Sequence, residues 1–165
     1  MKHTLFVAAL VLAASSAASA QTMAQAPATF ESSVVRTWKA LHTKIFDMAK
    51  DFPEAKYAWK PHADSRTIEE EFRHVTIGLE MTTAMAKGEK FDYMARVKAD
   101  ESKPHTQASV VSEMEAAMAA SFAVMDAGPK PLYVGWIDHQ GEHYGKMVNG
   151  YRSNGLVPPV SRPKK

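Results

Sequence analysis

From Phe30 onward, apolar residues return at intervals of three and four: Phe30, Val34, Trp38, Leu41, Ile45, Met48 and Phe52. That interval keeps one stripe of a helix apolar, whereas a strand needs a period of two. Pro53 stops the segment. A second helix is expected from Ser65–Thr67, with Glu70 placed as the capping-box partner of Thr67. Its main stripe is Ile68, Phe72, Val75, Leu79, Thr82 and Ala86. Ile77, Met81 and Met85 widen the band, so more than one side should be buried. Thr106 opens a third helix with Val111, Met114, Met118, Phe122 and Met125 inward, ended by Gly128-Pro129. The fourth runs from about Leu132 to Ser153, with Ile137, Gln140, Tyr144, Met147 or Val148, and Tyr151 inward, and Asn154-Gly155 closes it.

No Val/Ile/Thr alternation follows residue 20, so the expected class is all-α. Residues 87–105 show no clear period and contain Gly88, Pro104 and several charges. They read as a long connection with one short turn of helix at most. In a four-helix bundle, a connection of that length indicates a crossover rather than a hairpin.

The N-terminus has a separate logic. Lys2 supplies charge, Leu5 to Ala14 is apolar, and Ala18-Ser19-Ala20 offers small residues for cleavage. That order describes a secretory signal peptide over residues 1–20, with an apolar run too short to span a bilayer. The expected organisation is then a leader over 21–28, one helical domain over 29–155 and a tail over 156–165. Export implies a periplasmic or secreted protein with no membrane span after cleavage. Without Lys2, 19 basic residues face 18 acidic ones. So even a balance gives no strongly basic face, which argues against a nucleic-acid partner. Cysteine is absent, which excludes disulfides, a thiolate metal site and a cysteine nucleophile. Oligomeric state stays open, a homodimer included.

The chemistry concentrates in the fourth helix. Gly135, Gly141, Gly145 and Gly150 each cost it about 1 kcal/mol relative to alanine. A helix that accepts them needs close backbone approach or room for a ligand, or else is broken near Gly141. Within it lies His139-Gln140-Gly141-Glu142-His143. Imidazoles at i and i+4 stand on one helix face and can reach a single ion. An ordinary surface pair would look the same. The five residues also fit H-x-x-E-H, with Glu142 as general base. That peptidase pattern needs an acidic ligand downstream, and no Asp or Glu follows Tyr144. Nor does H-E-x-x-H fit, because Gln140 occupies the glutamate position. Such a site needs a third protein ligand, and the remaining histidines after residue 20 are His42, His62, His74 and His105. His62 and His105 each sit beside a proline in connections and read as solvated. His74 lies in mid-helix, where a polar group needs a partner.

The stretch Arg66-Thr67-Ile68-Glu69-Glu70-Glu71-Phe72-Arg73-His74-Val75 resembles the second-helix signature of the DinB-like family of metalloenzymes. Asp138-His139-Gln140-Gly141-Glu142-His143-Tyr144-Gly145-Lys146 resembles that family's fourth-helix motif, in which H-x3-H is followed by x-Gly. Trp59-Lys60-Pro61 and the run from Tyr151 to Pro159 are similar to exported members. The resemblance covers about residues 30 to 162. It implies a four-helix bundle with long connections and a metal triad of His74, His139 and His143. Gln140, Glu142 and Lys146 depart from the family's usual residues and leave the ligands intact. A three-imidazole site takes Zn2+ first, with Ni2+, Fe2+ or Mn2+ compatible. Bundles with this triad include thiol-dependent transferases and isomerases, which implies a small-molecule substrate. Glu142 would be its general base or a partner to a ligand, or else a solvated acid. The competing reading is a non-catalytic metal-binding or structural bundle of the cell envelope.

Overall fold

The computed structural model describes residues 28–163. The expected signal peptide and nearly all of the leader lie outside the described residues. Thr29 caps the first helix, its hydroxyl oxygen accepting from the Ser32 N–H at 3.1 Å, and α1 runs over Phe30–Asp51. Phe52 then leaves helical backbone, as Pro53 requires. The last carbonyls of α1 are not left bare. Gln107 Nε2 donates to Lys50 and Phe52 oxygens at 2.9 Å, and Tyr57 and Tyr151 hydroxyls donate to Ala49 and Met48 oxygens at 2.8 Å.

The second helix, α2, spans Ile68–Lys87 and carries the expected capping box. Thr67 Oγ1 accepts from Glu70 N at 3.1 Å, while Glu70 Oε2 accepts from Thr67 N at 2.7 Å. Two further N–H groups of its first turn donate to Trp59 and Tyr57 oxygens, so the preceding connection fixes where the helix begins. Gly88 ends it in left-handed backbone at φ 76°.

Between α2 and the next long helix stands α3, Tyr93–Glu101, nine residues where one short turn was expected. Its only buried residue is Asp100, so it leaves no apolar period to read. Charge holds it instead. Arg96 forks onto Glu80 of α2 at 2.7 and 3.1 Å, and Asp100 accepts from both Arg96 and Arg73. Burial pushes the Asp100 carboxyl up, but the bonds from Arg96 and Arg73 outweigh it and hold the carboxyl below its usual range.

Helix α4 covers Gln107–Asp126 and α5 covers Leu132–Ser153. α4 is long and apolar enough to cross a membrane by length and composition alone, but it packs against both α1 and α2. The α5 helix is continuous through Gly141. α1 and α2 each pack against both α4 and α5. Among the described residues there is no strand, so the class is all-α.

The predicted stripes hold with local changes. Val34, Trp38, Ile45, Met48 and Phe52 are buried, but Phe30 is exposed at the open end of α1. Met85 is exposed too, but Ile77, Gly78 and Ala84 are buried beside the main stripe, so more than one side of α2 is buried as expected. In α4 Met114, Met118 and Met125 are buried as expected, Val110 and Ser121 are buried as well, and Val111 and Phe122 are half-buried against the core. Ser121 goes inward because its hydroxyl accepts from the Trp38 indole N–H at 2.9 Å. On α5 Met147, not Val148, is fully buried. Only Gly150, of its four glycines, meets a close neighbour: an added Cβ would lie 2.5 Å from Ile68 Cδ1. Gly135, Gly141 and Gly145 face open space.

Candidate metal centre

α2 packs on α5, and the contact brings a mid-helix residue of one against an i, i+4 pair of the other. Nitrogens of His74, His139 and His143 all lie within 4.8 Å of one another. His139 and His143 face each other through Nε2 at 3.1 Å, and the ring centres of His74 and His143 are 4.6 Å apart. His143 is buried, while His74 and His139 are half-buried. The three histidines could hold a metal ion. Ligands of one tetrahedral ion with ~2.05 Å bonds stand about 3.3 Å apart. The His139–His143 pair already matches that spacing, and His74 has only to close on it.

The second nitrogen of two rings is engaged. His143 Nδ1 donates to Glu71 Oε1 at 2.6 Å, which leaves Nε2 as the free lone pair. Glu71 is buried one turn before His74 on α2, and Arg66 Nη1 lies 3.6 Å from its other oxygen. Burial raises the Glu71 pKa, but the bond from His143 and the charges of Lys146 and Arg66 outweigh it and hold the carboxyl below its ordinary range. The Tyr93 hydroxyl sits 3.1 Å from His74 Nδ1, so His74 also offers Nε2. Burial, then the Arg66 charge, lowers His74 to about 4. Burial and His143 lower His139 as well. Neutral imidazoles are what a divalent ion needs.

The other sequence candidates fall elsewhere. Glu142 is exposed and takes part in no described hydrogen bond, although its charge raises the His139 pKa slightly against the other causes. His62 is exposed, as expected. His105 is not solvated: its side chain is 5% exposed and Nε2 lies 3.0 Å from the Asp100 oxygen, where it braces the end of α3. His42 is buried against Trp38, with ring centres 4.1 Å apart, and belongs to the core of α1.

Sequence reasoning missed Glu71, Tyr93 and Trp136. The Trp136 ring stands edge-on to His139 at 5.1 Å. The available signal for Glu71 was its spacing three residues before His74, which puts both on one face of the helix. Tyr93 had none, since it belongs to the unpredicted α3.

Space adjoins the histidines. A cavity of about 300 Å³ is lined by His74, Gly78, Met81, Tyr93, Trp136 and His139. A second, of about 380 Å³, reaches His74 between Arg66 and Tyr93. A third, of about 530 Å³, touches the site through Glu71 and Arg66. Comparison of the chain with protein-family models, curated proteins and solved structures finds no match.

Proposed function

We propose that this chain is an exported DinB-like four-helix bundle that holds one divalent ion, zinc first, on His74, His139 and His143. Its reaction would be a metal-dependent transfer, isomerisation or hydrolysis on a small molecule. The observation that carries the reading is a trio of imidazoles from two packed helices, with a buried carboxylate orienting one ring and a phenol against another. Metal-binding imidazoles are commonly backed in this way. The long connection between α2 and α4, and the pairing of α1 and α2 each with α4 and α5, support the bundle.

When bound, the ion supplies Lewis acidity toward a substrate donor atom. The chain's own groups do the rest. Glu71 holds His143 in one tautomer and supplies negative charge behind the site. Tyr93 fixes the His74 ring, and Arg66 presents a cation toward the same space.

The alternative is a metal that only staples α2 to α5. The cavity bounded by both His74 and His139 favours the enzyme, because a staple needs no adjoining space. Cobalt substitution separates the two. Azide added to the Co2+ protein should change its visible d–d bands, showing a position open to small donors. Bands that ignore azide would leave the staple reading standing.

A further inference from the structure

The cavity of about 300 Å³ has an unusual wall for a space beside candidate metal ligands. Apart from His74 and His139 themselves, its lining is Gly78, Met81, Tyr93 and Trp136. Both histidines that border it are the half-exposed ones, while the buried His143 does not line it. Two aromatic walls stand edge-on to the two imidazoles: Trp136 at 5.1 Å and 89° to His139, Tyr93 at 6.4 Å and 86° to His74. Gly78 leaves the floor without a side chain, and Gln140 packs against that same glycine. Met81 adds a flexible, polarisable side that adapts to a flat guest.

We propose that this cavity receives an aromatic ring of the substrate, whose metal-binding donor atom sits one or two bonds from that ring. The inference rests on the metal reading and narrows its substrate to small aryl compounds. A cavity of ~150 Å³ with apolar walls already takes a benzene ring, so the space suffices for a substituted ring. Edge-to-face contact with Trp136 and Tyr93 favours an aryl group over an alkyl group of equal area. The neighbouring polar cavity, which holds Lys60, Arg66 and Arg73, lies across His74 and leaves polar substituents a place outside the apolar wall.

Benzohydroxamate and acetohydroxamate share one metal-binding head and differ only in phenyl against methyl. Titrated calorimetrically into Zn2+-loaded protein, benzohydroxamate should bind at least about tenfold more tightly. Trp136→Leu and Met81→Gln should each shrink that preference toward unity while acetohydroxamate affinity holds. Equal affinities in the wild type, or a preference that both variants keep, overturn the proposal. So does binding of neither compound to protein that carries its zinc. Elemental analysis of the same samples separates this from failure of the metal reading: protein without zinc condemns the triad, not the ring pocket.

Discussion

Glu71 is the residue that orients His143 in the proposed metal site, and its loss has a calculable effect. The bond from His143 Nδ1 to Glu71 Oε1 is 2.6 Å long, buried and charge-assisted. Such a bond contributes about 1.5–3 kcal/mol. At about 1.4 kcal/mol per tenfold, zinc affinity should fall roughly ten- to a hundredfold without it, the range expected for partners behind metal-bound histidines. Glu71→Gln belongs at the lower end, because an amide oxygen still accepts, and Glu71→Ala at the upper. Competition against a chromophoric chelator measures both, with circular dichroism as the check on folding. Glu142→Gln is the contrast: exposed and unbonded, it should move affinity by less than about threefold. Folded Glu71 variants that bind zinc within about threefold of wild type would refute the reasoning.

Three further outcomes concern the scaffold. Burial drives His42 from 6.5 to about 4, so the folded state keeps it neutral while the unfolded chain takes up a proton below 6.5. The stability it contributes is whole above pH 6.5 and drains as pH falls toward 4, by about 2 kcal/mol at pH 5. Urea melts at pH 7.5 and pH 5 should show wild type losing that much more than His42→Leu, and equal losses would contradict it. Gly145→Ala should stabilise by up to about 1 kcal/mol, since an added Cβ meets nothing within 4 Å. Gly78→Ala gains the same propensity but puts its Cβ 2.6 Å from Gln140 Nε2, so the end of that side chain must shift and the net gain should be smaller than at Gly145. Thermal denaturation of both variants reads the difference, and a Gly78→Ala gain as large as that of Gly145→Ala would refute the packing argument.

The four long helices were legible because each buries an apolar stripe between strong stops. Thr67 and Glu70 announced the start of α2, and the reciprocal bonds are there. The short helix α3 was not legible, since paired charges fix it rather than apolar burial, and charge patterns carry no period. The burial of Ser121 on α4 goes with a bond to Trp38, 83 positions away, which no local spacing encodes. The His139–His143 pair declared itself through i, i+4 spacing. His74 needed a resemblance to be singled out, because a lone mid-helix histidine has several physical explanations. Which of Glu69, Glu70 and Glu71 turns inward is decided by where α5 lands, and only Glu71 meets His143. The glycines of α5 signalled close backbone approach, room for a ligand or a break, and close approach is found at Gly150 alone.

Metal content of untagged protein bears most directly on the central claim. Elemental analysis of wild type, His74→Ala, His139→Ala and His143→Ala after identical zinc reconstitution would settle it, with His62→Ala as the exposed control. The account predicts about one equivalent in wild type and His62→Ala, and loss in each of the three triad variants. Wild type without zinc, or triad variants that retain a full equivalent, would contradict it.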